Sequence, residues 1–437
     1  MTSARRLAVD LLVRIDDGAH THVLLPAALG ASDLDARDRA FVTDLVAGTV
    51  RLRGAIDYLI GRVADRGVED LDARVRAGLR LGTHQLLHAT PAHAAVGATV
   101  EAVGGRGRGY VNAVLRGIAA LGPSWPWPLG DDAASVAVRT SHPEWLVELL
   151  MRDFDTVDAI GMLEADNDPP HLTLRPNAAR AGSTELRDEL TDAGASATPG
   201  RLVRDAVVVR GAGDPARIPA VRDGRATPQD EASQAVATLV GARPGERVLD
   251  VGAAPGGKAT ALAERGAHVT ALDVDTGRLR LVAEAFERLG VPGALVAADG
   301  RFLPMRSASF DRVLVDAPCS GLGVLRRRAD ARWNLRPEAI TELAELQRAL
   351  LSAAAEVVRP GGVLVYSVCT LSGAETVEVD TWAAETLSGF ESDGVPGPPW
   401  TNAGRGARLL PQTRGTDGMY VLVLRRSGGT PAGTVAR

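Results

Sequence analysis

The chain holds two cysteines, and each stands where an apolar run stops. Cys319 lies in VLVDAPCSG (313–321) and Cys369 in VLVYSVCT (363–370). Short branched aliphatic runs of this kind read as buried strands, so both thiols are expected at strand ends. In an open parallel sheet the carboxyl ends of the strands face one crevice. Neighbouring strands would therefore bring Cys319 and Cys369 within side-chain reach of one another. A thiolate is a soft nucleophile that can attack carbon and later leave. Cytosine is a fitting target, because attack at C6 makes C5 electron-rich enough to take a methyl group from a sulfonium donor. The adduct must then lose its C5 proton and expel the thiol, and a second thiol can assist that release. The plainer alternative is that each free cysteine is a small buried hydrophobe.

A second constellation lies in VLDVGAAPGGKAT (248–260), a strand followed by a glycine-rich turn and a helix. Gly252, Gly256 and Gly257 let the backbone approach a ligand. The spacing matches neither G-x-G-x-x-G nor G-x-x-x-x-G-K-[ST], so a dinucleotide or a nucleoside triphosphate is not the natural reading. Asp273 ends the next strand, where a carboxylate can accept hydrogen bonds from ribose hydroxyls, and Asp299 ends the one after. An adenosine-type ligand without a pyrophosphate fits, although both aspartates also suit plain helix caps. Lys258, inside the turn, is the chain's only lysine.

The elements that must carry these residues follow from periodicity. Residues 4–120 place Leu11, Leu12 and Ile15, then Phe41, Leu45 and Val46, then Ile56, Leu59 and Ile60 at three- and four-residue spacing, which predicts an all-helical domain over 1–122. GPSWPWPLGDD (122–132) is punctuated by prolines and marks a linker over 123–140. HLTLR (171–175) and RDAVVVR (204–210) read as strands around a helix starting near Ser183, a small α+β module over 141–228. Over 229–427 strands and helices alternate through RVLDV, HVTALD, ALVAA, DRVLVD and GVLVYS, as a mostly parallel α/β sheet requires. Residues 428–437 are expected to be a flexible tail.

Bulk properties narrow the class. A chain of 437 residues needs more than one domain. Its net charge of -5 gives no overall attraction to nucleic acid, so any RNA contact must come from a local basic patch. No leader and no apolar run of spanning length is evident, which points to a cytoplasmic protein without membrane contact.

Together these motifs carry a family resemblance. AAPGGK, DAPCSGLG, RRRADARW, the LQ pair at 346–347 and VYSVCT resemble the motif series of the NOP2/Sun class of RNA 5-methylcytosine methyltransferases, which use S-adenosylmethionine. QDEASQ (229–234) resembles the opening of their catalytic domain, and DGMYVLVLRR (417–426) its closing strand. RDRAFVTDLVAGTVR (37–51), LRLGTHQLL (79–87) and YVNAVLRGI (110–118) resemble the NusB-like domain fused to the bacterial RsmB (Sun) branch, which methylates small-subunit ribosomal RNA. The fold so implied is multidomain: an all-α NusB-like domain, a small α+β RNA-facing module and a Rossmann-like class I methyltransferase domain.

The resemblance implies that Cys369 is the nucleophile, that Cys319 assists breakdown of the adduct, and that Asp316 holds the cytosine edge near N3. It implies that Gly252, Ala253, Ala254, Pro255, Gly256, Gly257, Lys258, Asp273, Arg278, Asp299 and Asp316 hold the methyl donor, with no metal. The implied partner is RNA, as small-subunit ribosomal RNA or an assembly intermediate, bound by a monomer. Transfer RNA as substrate, or a non-catalytic RNA-binding scaffold, are the alternatives. The sequence departs from the family at Gly252, where many relatives have Cys, at Val368 in place of Thr, and at Thr376 in place of Asn; none of these removes a reacting group.

Arg326, Arg327, Arg328, Arg332 and Trp333 form a basic and aromatic cluster just past Cys319, expected to neutralise phosphates and stack on a base. Arg175 is expected on the RNA-facing module. His142, before a proline, is expected to be structural.

Overall fold

A computed structural model describes residues 4–428; the expected tail, apart from Gly428, lies outside the described residues. The chain divides into two compact units, one of residues up to Pro169 together with Leu325–Leu335, the other of Pro170–Val324 and Arg336 onward.

The first unit is helical, as the periodicity predicts. Helices Ala4–Asp16, Ala36–Arg51 and Ala73–Leu87 bury Val9, Leu12, Val42, Leu45, Val46 and Leu81 in one cluster. Ile56, Ile60, Leu79, Val111, Leu115 and Ile118 form a second. Asp35 and Asp72 cap their helices by accepting from backbone N–H groups of the first turn, satisfying donors the helix leaves open.

Two expected boundaries are corrected. The segment 123–140 is not a plain linker, because Ala133–Thr140 is helical, capped by Asp132, and buries Val136. Residues 141–169 do not open the α+β module. Helices Glu144–Asp153 and Thr156–Ala165 bury Leu146, Val147, Met162 and Leu163 within the helical unit, and the break comes at the Pro169–Pro170 pair.

The second unit contains two sheets. The smaller has strands β1 (Leu172–Pro176), β2 (Ser196–Pro199), β3 (Val207–Arg210) and β4 (Ala226–Pro228), all antiparallel in the order β2-β3-β1-β4. Helix Ser183–Asp192 covers it through Leu186 and Leu190.

The larger sheet has nine strands: β5 (Arg247–Val251), β6 (His268–Asp273), β7 (Ala294–Ala297), β8 (Phe310–Asp316), β9 (Val358–Val368), β10 (Phe390–Ser392), β11 (Thr401–Ala403), β12 (Gly406–Leu409) and β13 (Met419–Arg426). Its order is β11-β12-β13-β9-β8-β5-β6-β7, with β10 on β13. The segment from β7 to β9 is parallel, and β13 returns antiparallel to β9. Apolar side chains cover both faces, with Val248, Leu314 and Val365 in one cluster and Leu249, Val313, Val315 and Leu364 in the other. This two-sided burial explains why the parallel strands read as unbroken aliphatic runs.

Among the described residues no helix is long and apolar enough to cross a membrane, and no group of three or more His, Cys, Asp or Glu side chains is placed to hold a metal ion.

Candidate active site

Strand register builds the site. β8 lies between β5 and β9, with Val251 opposite Val315 and Asp316 opposite Ser367. Gly252 therefore leaves β5 directly beside Asp316, and Cys369 follows the last residue of β9. The loop after β8 folds back, with Ala317 N–H donating to Ser367 O at 3.1 Å and Gly323 N–H to Cys369 O at 2.9 Å. The result is a Cys319 Sγ to Cys369 Sγ separation of 3.3 Å, between two half-buried free thiols.

The two sulfurs are electrostatically unlike. Cys369 is pulled below the ordinary thiol range, first by the hydrogen bond from Cys319 and further by the positive charge of Lys258, against burial and Asp316. Cys319 is pushed well above it by that same hydrogen bond, by burial, and by the charges of Cys369 and Glu375. Cys369 is thus the thiolate-forming partner and Cys319 the proton holder, a polarity that suits one attacking and one assisting thiol.

Lys258 Nζ donates to Asp316 Oδ2 at 2.7 Å. Burial alone would lower the lysine, but its contact with Asp316 outweighs that and raises it, so the ammonium is retained next to the thiols.

The glycine loop is pinned to the end of β6. Gly252 and Ala253 N–H donate to Leu272 O, Ala254 N–H to Asp273 Oδ2 at 3.3 Å, and Arg278 Nη2 to Ala254 O at 2.8 Å. Gly252 has φ +79°, and a Cβ there would lie 2.4 Å from Asp316 O, so in this backbone a side chain would force the strand ends apart. Gly256, at φ +104°, starts helix Gly257–Ala263. Ala253 and Ala254 are buried and Pro255 is exposed. Asp273 is buried.

One residue of this region was not anticipated. Asp250, in β5, is fully buried and neither carboxylate oxygen has a hydrogen-bond partner. Burial, then the nearby Asp316, pushes its carboxyl up to about 8. The charged residue inside the aliphatic run VLDV was the available signal. Asp273 and Asp316 concentrate acceptor groups and negative charge around the glycine loop, which fits a ligand carrying a sulfonium, an ammonium and ribose hydroxyls. Asp299 follows the end of β7, where Ala298 N–H donates to Asp273 O at 3.2 Å, and Arg301 donates to its carboxylate from its backbone N–H and, at 2.6 Å, from Nη2.

The expected RNA-facing cluster is corrected in part. Arg332 is fully buried in the helical unit and donates to Ser141 O at 3.0 Å, Asn167 Oδ1 at 2.9 Å and Asp166 O at 3.1 Å. Trp333 Nε1 donates to Val50 O at 3.0 Å. Arg326 is buried and its carbonyl accepts from Arg51. Arg175 is buried too, donating to Gln229 Oε1, Gly257 O, Thr260 Oγ1 and Glu264 Oε1. Backbone carbonyls and buried acceptors have claimed the donors that were expected to meet phosphate. Arg327 is half-buried and Arg328 is exposed. His142 is fully buried 3.6 Å from Asp166, as a structural histidine should be.

A Rossmann-like sheet with a glycine turn on β5, an acidic residue ending β6 and β13 antiparallel to β9 is the arrangement of a class I methyltransferase domain, and S-adenosylmethionine is the methyl donor. The family model "16S rRNA methyltransferase RsmB/F" matches residues 237–425, the NusB family model residues 2–120, and an RsmF/B-like ferredoxin-like domain residues 142–215. Ribosomal RNA small subunit methyltransferase B of Pseudomonas putida is 34% identical, over 96% of this chain and 96% of its own. A Mycobacterium tuberculosis chain whose name assigns it provisionally to the methyltransferases is 40% identical, over 97% of this chain and 96% of its own. The crystal structure of PH0851 has the same fold, with a TM-score of 0.82 at 23% identity over 98% of this chain and 99% of that one. The chain belongs to the RsmB/F family of ribosomal RNA methyltransferases.

Proposed function

We propose that the protein methylates C5 of a cytosine in small-subunit ribosomal RNA through a covalent adduct between Cys369 and C6. The observation that carries this reading is the 3.3 Å approach of two thiols whose proton affinities are driven apart. A methyltransferase acting on an exocyclic nitrogen or a ribose hydroxyl has no use for such a pair.

In this reading the Cys369 thiolate adds to C6 and the C5=C6 electron pair moves toward C5, while Asp316 holds the base near N3 and the Lys258 ammonium offsets the negative charge that develops. S-adenosylmethionine supplies an electrophilic methyl group, held beside C5 by the loop from Gly252 to Lys258 with Asp273. C5 then gives its proton to solvent water, the C5=C6 bond re-forms and the Cys369 sulfur departs as a thiolate that the Cys319 thiol stabilises by its hydrogen bond. The base must leave its stack to reach the thiols, which favours an unpaired loop or an assembly intermediate. Arg328, exposed past the Cys319 loop, is the member of the basic cluster that remains suited to phosphate.

The test is Cys319→Ala incubated with S-adenosylmethionine and unmodified small-subunit ribosomal RNA. A denaturation-resistant protein–RNA adduct that vanishes when Cys369 is also replaced is the expected result. Absence of the adduct together with no methyl incorporation by the wild type refutes the reading, and an adduct formed only on transfer RNA replaces the substrate.

A further inference from the structure

We propose that Glu375 is a positioning residue, whose buried carboxylate joins the two cysteine loops and so strengthens the preference for one thiol as attacker. Glu375 is fully buried in the turn before helix Val377–Thr386. Its Oε1 accepts from Ser320 N–H at 2.8 Å and from Gln347 Nε2 at 3.0 Å. Its Oε2 accepts from Thr370 Oγ1 at 3.1 Å, from Ser372 Oγ at 2.9 Å and from Ser320 Oγ.

Ser320 follows Cys319 and Thr370 follows Cys369, and their hydroxyls are 2.7 Å apart. One carboxylate therefore holds the residue next to each thiol. Gln347 extends the clamp by donating to Pro318 O at 3.0 Å, on the other side of Cys319. Tyr366 OH, within β9, lies 2.8 Å from Gln347 Oε1 and 2.7 Å from Glu375 O. Two donors from Ser320 after β8, one from Gln347 on helix Pro337–Val357 and two from the residues after β9 converge on one group, a connected buried network of the kind that fixes a unique geometry.

The position of the charge also matters. Glu375 disfavours the thiolate of Cys319, while Lys258 favours that of Cys369. The site has a cation on the attacking side and a carboxylate on the assisting side. A glutamine at 375 keeps the shape and most of the hydrogen-bond capacity but removes the charge. This inference rests on the two-thiol reading above and assigns a residue that adds to the inequality of the thiols.

The experiment compares alkylation of the two cysteines by iodoacetamide across pH in the full chain, with mass spectrometry reporting each site. In the wild type Cys369 should react faster than Cys319. In Glu375→Gln that preference should fall by about tenfold, the equivalent of one unit in relative proton affinity, with S-adenosylmethionine affinity retained. Equal rates in the wild type, or an unchanged preference in Glu375→Gln, overturn the proposal. Should Glu375→Gln fail to bind S-adenosylmethionine or to fold, Ser320→Ala and Thr370→Val each remove one donor, and an unchanged preference in both overturns it equally. The readout needs no RNA, so a protein that does not methylate cytosine would refute the proposed function while leaving the clamp decided by its own result.

Discussion

The Lys258 ammonium bridges two acidic demands: it donates to Asp316 at 2.7 Å and lowers the proton affinity of Cys369. A chain that uses arginine almost throughout keeps its single lysine here. A compact ammonium on a flexible stem acts there as a point charge beside the Asp316 carboxylate.

Replacing Lys258 with methionine removes the positive charge and leaves Asp316 as an uncompensated neighbour. Both changes favour the protonated thiol of Cys369. The rising limb of the pH–rate profile should move to higher pH, and methyl transfer near neutrality should fall by about tenfold or more. A limb that stays in place would show that Lys258 does not tune the nucleophile.

Asp250 predicts a pH dependence of stability. It keeps its proton to about 8 when folded, against an ordinary value of 3.8, so between those values the folded state binds more protons than the unfolded one. Stability should fall as pH rises through that window, by up to about 1.4 kcal/mol per pH unit for one proton. Urea unfolding of wild type and Asp250→Asn, measured at several pH values, should show a shallower decline in the variant. Parallel curves would place the Asp250 proton affinity near its ordinary value.

Arg332 predicts a stability defect without an RNA-binding signature. Its guanidinium, which burial pulls down to about 10, satisfies four acceptors in the helical unit. Arg332→Ala orphans buried carbonyls and should destabilise that unit by about 3 kcal/mol. The salt dependence of RNA binding should keep its slope, because no phosphate contact is lost. A flatter slope at unchanged stability would return Arg332 to the RNA interface.

Much of the site was legible because its residues sit at the ends of dense aliphatic runs. HVTALD and RVLDV match β6 and β5 in full, and the strand ends then carry Asp273 and Gly252 to the crevice. Sequence could not show that Arg332 is buried, since its acceptors Ser141 and Asp166 stand 191 and 166 residues away. An arginine-rich segment reads as a solvated patch until its carbonyl partners are known. Glu375 escaped notice for the same reason, because its meaning depends on Ser320, 55 residues earlier. The short strands β10, β11 and β12 were missed because three or four residues give no period to detect.

The chain departs from the second unit just after the Cys319 loop, gives Leu325–Leu335 to the first, and returns at Arg336. The covalent thread thus crosses between the units three times. A cut at Pro169 would strand Leu325–Leu335 without the carbonyls of Val50, Ser141 and Asp166 that its side chains bond. Shortened versions beginning at Pro170 should therefore be prone to misfolding in the segment that follows the Cys319 loop. The amino-terminal half is in this sense a partner built into the same gene, inherited and lost together with the half that carries the chemistry.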